Sequence, residues 1–254
     1  MEVASGPGQV TLHRTRSARS DGGSPEPVAG PGTPKSRLVF PARVTLDPAA
    51  LREAWEAKYQ REPAPWRGPP ELGILAPHLA ALPPEARVLE LGAGGGKTLA
   101  AARARDVVAL DWARAGLARV GGPRVQASAT ALPFAPATFD AVLAVHVLGH
   151  LPHALRARAA DEAVRVLRPG GLLLFADFAE GDMREAKGDA VPGEARTRQR
   201  DGGLLYHYFT EEELPGLAPA LTLTERELEK KEERFHGVRH ERRVLRGTFL
   251  KAPV

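Results

Sequence analysis

Val88-Leu89-Glu90-Leu91-Gly92-Ala93-Gly94-Gly95-Gly96-Lys97-Thr98 decides the fold of this chain. An apolar run ends in an acid, passes into a glycine cluster and continues as a helix-like segment through Leu99-Ala100-Ala101-Ala102. The pattern is strand, tight turn, helix. Glycines permit the turn and let a ligand lie against bare backbone, and a helix N-terminus behind them offers unpaired N–H groups. A small cofactor is therefore expected here, with a ligand-free turn as the alternative.

Spacing separates the candidates. A dinucleotide fingerprint requires G-x-G-x-x-G; Gly92 and Gly94 fit, but the third position is Lys97. A phosphate-cradling loop requires G-x-x-x-x-G-K-[ST]; Gly96-Lys97-Thr98 supplies the end, but Leu91 stands where the first glycine belongs. The pattern E-x-G-x-G-x-G fits at Glu90, Gly92, Gly94 and Gly96. It resembles the first motif of class I S-adenosylmethionine-dependent methyltransferases. That resemblance implies a Rossmann-like α/β fold: a mostly parallel seven-stranded sheet with helices on both faces, and S-adenosyl-L-methionine as cofactor.

The following segments extend it. Asp106-Val107-Val108-Ala109-Leu110 reads as a second buried strand ending at Asp111. An acid at that tip takes ribose hydroxyls in this class of fold; capping a helix from Ala113 onward is the other role open to it. Trp112 is placed either on the adenine face or in the core. Gln126 to Phe134, followed by Thr138-Phe139-Asp140-Ala141-Val142, is similar to the family's D-A-x-x-L-P-F … F-D-x-V sequence. Ser128 replaces the family's adenine-binding acid, which moves the expected adenine contacts toward the Ala129 backbone and Leu132. His146, at the end of the next strand, joins the expected cofactor set. Arg168-Pro169-Gly170-Gly171 and the apolar Leu172 to Phe175 match the family's turn and fifth strand.

The region after that strand should set acceptor choice, since ligands lie outside the carboxyl ends of the strands. It carries a long polar connection, then Tyr206-His207-Tyr208-Phe209-Thr210, with Thr210 and Glu213 spaced as a capping box. This half resembles the tRNA 3-methylcytidine methyltransferase family. Carried over, Asp177 matches the acid of an Arg-Asp-Tyr element, Arg200, Asp201 and Gly202 match the middle motif, and Tyr208, Phe209 and Thr210 match the aromatic element. The resemblance implies Asp177, Arg200, Asp201 and Tyr208 as the catalytic set. Ala176 and Gly203 depart from the family's arginine and threonine. Arginines including Arg198, preceding Tyr206, suit phosphate and base recognition.

Val145 to His150 does not carry the Asn/Asp-Pro-Pro-aromatic motif of exocyclic-amine methylases. An endocyclic nitrogen needs positioning more than deprotonation. His146 or His150 can instead act as a base, and either can be a packing residue. The chain has no cysteine. That removes disulfides and cysteine metal sites, the covalent route to pyrimidine C5 and a radical iron–sulfur mechanism. No metal site is singled out.

The chain has 254 residues, 43% of them apolar, a net charge of +4 and a pI near 9.6. This length suits one α/β domain with additions. Residues 1–36, rich in Gly, Pro, Ser and Arg (Arg14, Arg16, Arg19), read as a disordered tail. Residues 37–254 form the domain: a helical lid over 37–84, a cofactor half over 85–178 and an acceptor half over 179–254. Asp47 and Pro48 start a lid helix bearing Leu51, Trp55 and Tyr59. A second helix is expected over Leu72 to Leu82, and Tyr59 and Trp66 are candidates to cover the cofactor. Arg234, Arg239, Arg242, Arg243, Arg246 and Lys251 give a basic end that suits RNA, but interleaved glutamates give a salt-bridged face equally well. Without a long apolar run or a signal region, a cytoplasmic protein is expected. The expected activity is methyl transfer to a base nitrogen in tRNA. A small-molecule acceptor and a non-catalytic cofactor-binding partner protein are the alternatives.

Overall fold

The computed structural model describes residues 46–253 except 67, 103–105 and 236. The expected tail over 1–36, with Arg14, Arg16 and Arg19, lies outside the described residues.

Two helices open the described chain. Helix α1 (Pro48–Arg61) starts as its sequence dictates: Pro48 holds the first position and the Asp47 carboxylate accepts from the Ala49 N–H at 3.1 Å. Leu51, Trp55 and Tyr59, four apart, form its buried stripe. Helix α2 (Leu75–Ala81) begins three residues later than its apolar pattern suggests, because Gly73 adopts φ +50° and cannot be the helix interior.

The sheet follows as β1 (Arg87–Leu91), β2 (Asp106–Asp111), β3 (Arg124–Gln126), β4 (Phe139–Val145) and β5 (Leu167–Phe178), crossed by α3 (Leu99–Ala102), α4 (Arg114–Leu117) and α5 (His153–Val166). A hairpin of β9 (Thr222–Phe235) and β10 (Val238–Leu250) closes it, in the order β3-β2-β1-β4-β5-β10-β9. The first five strands are parallel, and β10 runs antiparallel to β5. Strand order reverses at β1 and β4, so the crevice at their carboxyl ends is where a ligand belongs.

Period-two alternation fills both faces. Leu89, Leu91, Val142, Leu173 and Phe175 pack against Ala159, Ala163 and Val166 of α5. Val88, Ala141, Leu143, Leu174 and Ala176 pack on the other face against Leu75 and Leu79 of α2. The second helix of the expected lid is therefore part of the sheet's core.

A second sheet of β6 (Asp189–Ala190), β7 (Thr197–Arg200) and β8 (Leu204–His207) occupies the polar connection after β5. It precedes α6 (Leu214–Leu217), before which Thr210 and Glu213 exchange the two capping-box hydrogen bonds.

Glutamates of the hairpin take up part of the basic C-terminal end. Arg242 meets Glu233, Arg239 meets Glu232, and Arg243 meets Glu241. Arg246 is 1% exposed and holds Glu227 and Glu229 at 2.7 Å each while donating to the Glu71 carbonyl. Among the described residues no helix is long and apolar enough to cross a membrane. Removing one partner of a buried charge network strands the others. Arg246→Ala should lower unfolding free energy by roughly 3 kcal/mol, read by denaturant titration; a loss under about 0.5 kcal/mol would show that the network adds nothing.

Candidate active site

The turn after β1 is built by glycines that nothing else can replace. Gly92 has φ +64° and Gly94 φ +51°, a region that side chains disfavour. A Cβ on Gly92 would lie 2.5 Å from Val147 Cγ2, and one on Gly94 would collide with the Tyr59 hydroxyl. Lys97 and Thr98 continue the turn, and helix begins only at Leu99.

Asp111 binds this loop to the next. Its Oδ2 accepts from the Gly94 N–H and its Oδ1 from the Ala113 N–H, both at 2.8 Å. The carboxylate ties the two turns together, while α4 itself starts at Arg114 with Ala113 as its N-cap and no side-chain cap; each Asp111 oxygen keeps a second lone pair. Glu56 of α1 accepts from the Ala115 N–H at 3.2 Å and docks the helix against the same turn.

These elements enclose a cavity of about 610 Å³. Glu90, Gly92, Gly96, Asp111, Trp112, Ala129 and His146 of the expected set line it; Gly94 sits beneath Tyr59, which also lines it. Ser128 and Leu132 are not in its wall. The Ser128 hydroxyl pairs with Thr130 Oγ1 at 2.8 Å and accepts from the Thr130 N–H, a local turn that holds it back. Leu132 packs in the core and its N–H meets Glu162.

Charge is concentrated in the wall. Burial pushes the Glu90 carboxyl up to about 8, Thr98 opposing and Asp111 adding to the rise, and Glu90 Oε2 has no hydrogen-bond partner. Burial pushes Asp111 to about 6 against the pull of the Ala113 and Gly94 amides. A cation entering here would be met by Glu90 Oε2, which lacks a partner, beside the already hydrogen-bonded Asp111. His146 adopts φ +51°, its ring 4.6 Å from that of Phe178 and its Nδ1 3.5 Å from Asp177. His150 places Nδ1 2.6 Å from the Leu205 carbonyl. A carbonyl only accepts, so Nδ1 carries the hydrogen and Nε2 keeps its lone pair in the neutral ring. Burial lowers the His150 pKa, with Asp177 opposing.

The expected catalytic set is placed elsewhere. Asp177 is fully buried and accepts from the Gly149 and Phe178 amides at 2.8 and 2.9 Å. Burial pushes its carboxyl up, but His146, His150 and the Gly149 amide outweigh this and hold it below its ordinary value. It is a positioning residue beneath His146. Arg200 and Asp201 belong to the β7–β8 hairpin. Asp201, Gly202 and Gly203 turn it with positive φ, the Arg200 guanidinium lies 3.7 Å over the Tyr206 ring, and Asp201 accepts the Tyr206 hydroxyl at 2.8 Å. Tyr208 is fully buried in an aromatic cluster with Tyr59 and Phe178. None of Arg200, Asp201, Tyr206 and Tyr208 lines the cavity. Within the hairpin Arg200, Asp201 and Tyr206 pair with one another, while the Tyr208 hydroxyl is buried without a partner. Arg184 and Arg242 line it instead; the sequence reading placed Arg242 only in the basic C-terminal end and did not single out Arg184. The only signal was their nearness to the ends of the fifth and last strands.

The comparisons agree with this geometry. Residues 89–175 match the family model described as a methyltransferase domain. The tRNA N(3)-methylcytidine methyltransferase of Drosophila melanogaster is 33% identical over 100 residues, which are 38% of this chain and 30% of that protein. The malonyl-[acyl-carrier protein] O-methyltransferase of Methylococcus capsulatus is 33% identical over 180 residues, 64% of this chain and 60% of that protein. A Burkholderia thailandensis 1,6-didemethyltoxoflavin-N1-methyltransferase, solved with bound 1,6-didemethyltoxoflavin and S-adenosylhomocysteine, superposes with a TM-score of 0.59 at 23% identity, covering 80% of this chain and 88% of that one. Strand order and glycine loop give the chain the fold of this solved methyltransferase, and residues 89–175 carry the segment that the methyltransferase domain model matches. The chain spans less than two thirds of the length of either curated relative.

Glu90 gives a test of the site's electrostatics. Its folded value of about 8 lies above the ordinary carboxylate value, so the unfolded chain gives up its proton first and stability falls as pH rises between the two. Glu90→Gln removes that penalty. The variant should gain on the wild type between pH 5 and pH 9, by roughly 2–4 kcal/mol, in parallel urea titrations of the ligand-free protein. A constant gap would mean that Glu90 ionises normally.

Proposed function

We propose that this protein transfers the methyl group of S-adenosylmethionine to a small acceptor held between His146, Phe178 and the start of the long connection after β5. The observation that carries this reading is the cavity itself, with an orphaned carboxylate oxygen at its glycine-loop end. Glu90 Oε2 has no partner, and the cofactor's ammonium would supply one, a charge-assisted pair that also returns Glu90 toward its ionised form. The glycine loop leaves backbone open to the amino-acid part, Asp111 takes the ribose diol on its remaining lone pairs, and Trp112, Ala127 and Ala129 form the adenine wall. The cofactor supplies an electrophilic methyl bound to a sulfonium. The chain's own part is to hold the acceptor in line with it, where proximity and orientation supply most of the acceleration. For a hydroxyl or amine acceptor, His150 Nε2 is the proton acceptor on the wall, neutral because the ring is buried.

A small acceptor is favoured because the residues expected to read RNA are occupied. Arg200, Asp201 and Tyr206 bind one another, and Arg239 and Arg243 of the C-terminal end pair with glutamates. A base nitrogen in tRNA is the second reading, supported by similarity to the Drosophila tRNA methyltransferase.

Two measurements test this. Asp111→Ala should weaken S-adenosylhomocysteine binding by about tenfold or more in calorimetry, the value of a hydrogen bond to a charge. If Asp111 serves only the turns, stability will drop and affinity will not change. Electrophoretic mobility of tRNA should be unchanged by the protein at low salt. A shift that weakens steeply with salt, with labelled methyl appearing in tRNA, would replace the small acceptor by the second reading.

A further inference from the structure

Two guanidinium groups stand at the acceptor end of the cavity without adequate partners. Arg184 lies at 4.9 Å over the ring of Phe178, the residue whose ring also packs on His146. Arg242 reaches the same wall from β10. Arg184 Nη1 and Arg242 Nε are shut off from water, and neither makes a hydrogen bond. The side chains keep 25% and 19% exposure, so each head group is half-desolvated at the edge of the cavity.

The carboxylates nearby do not cancel them. Asp182 lies 3.7 Å from Arg184 Nη1 and 3.4 Å from Arg242 Nε. Its two oxygens also accept from the Arg184 and Arg243 backbone amides at 2.9 and 2.8 Å, so this single carboxylate is shared between two guanidiniums and two amides. Glu233 holds Arg242 Nη1 at 3.3 Å on the outer side. Arg200 adds a third positive charge to the neighbourhood of Arg184. Burial first, then the charges of Arg242 and Arg200, disfavour the ionised Arg184, with Asp182 opposing. An arginine stays charged in a protein, so the site holds positive charge whose natural complement is an anion. The Tyr208 hydroxyl, buried without a partner behind Phe178, adds a further unused donor to this corner.

We propose that Arg184 and Arg242 form an anion subsite, and that the acceptor is a small molecule whose nucleophile lies near His146 and whose carboxylate or phosphate group is held by these two guanidiniums. The inference rests on the methyl-transfer reading and narrows its acceptor class. Arginine suits both anions, because its planar fork meets two oxygens at once. Phe178 then spaces the anion from the reacting atom and gives the molecule's apolar part a flat surface.

The test follows side-chain Nε–H signals of arginine by NMR in the full chain saturated with S-adenosylhomocysteine, adding inorganic phosphate in one series and acetate in another. The Arg184 and Arg242 signals, assigned by their loss in Arg184→Gln and Arg242→Gln, should shift saturably. Arg184→Gln should weaken the anion by about tenfold or more, Arg184→Lys by less, with thermal melts near those of the wild type. Tighter phosphate points to a phosphorylated acceptor, and tighter acetate to a carboxylic acid. S-adenosylhomocysteine binding without any saturable arginine shift, or a shift of equal affinity in Arg184→Gln, overturns the anion subsite and leaves the cofactor reading standing. Absence of S-adenosylhomocysteine binding in the same samples overturns the cofactor reading itself.

Discussion

Asp111 is the constraint on which the site depends. A carboxylate at 5% exposure is costly unless hydrogen-bonded, and Asp111 answers this by joining the Gly94 amide to the Ala113 amide. Two loops that leave neighbouring parallel strands are thereby fixed to one another, and the glycine turn acquires a single shape. Tyr59 then fits over Gly94 because there is no side chain at that position. Glu56 fits against the Ala115 amide because α4 starts where Asp111 sets it. The helix carrying both residues is docked by the same acid that faces the cavity. Burial raises both Glu90 and Asp111, so this end of the cavity is an acidic pair awaiting a cation and polar hydroxyls.

The opposite end has the inverse polarity. Phe178 is the hinge between the two, with His146 on one side and Arg184 on its ring. Acids lie at the glycine-loop end, with Lys97 beside them, and arginines at the far wall, and low local dielectric strengthens the interactions of both. Asp177 beneath it does a quieter job: by binding Gly149 and Phe178 amides it fixes the ends of β5 and of the turn that carries His146 and His150.

The β9–β10 hairpin shows how a charged surface becomes structure. Like charges stand directly opposite at Arg239 and Arg234, at Glu241 and Glu232 and at Arg242 and Lys231, so the ion pairs run diagonally, Arg242 to Glu233 and Arg239 to Glu232, and Arg246 carries charge into the interior. Part of the basic excess behind a pI near 9.6 is thus paired within this hairpin.

The sequence by itself determined the parallel strands, the glycine turn, the acid at the tip of β2, the first lid helix and its cap, and the capping box before α6. Each is written in residues within a few positions of one another: apolar alternation, glycine where φ is positive, a carboxylate or hydroxyl next to free amides. Most of the expected cofactor residues reached the cavity for the same reason, because the loop ends of parallel strands converge on one crevice. Only the tertiary structure decided the acceptor end. Arg200, Asp201 and Tyr208 carried a motif-like spacing, yet the first two pair with Tyr206 inside a hairpin and Tyr208 is buried beside Phe178, all outside the cavity wall. Strand β9 has charges on both faces and no apolar alternation, and it forms because β10 satisfies its backbone. Arg184 and Arg242 are 58 positions apart by number, and they meet because Asp182 gathers the backbone of one and the side chain of the other. Contacts made by distant segments leave no period or spacing in the chain, and charge complementarity across a cavity exists only once the cavity is built.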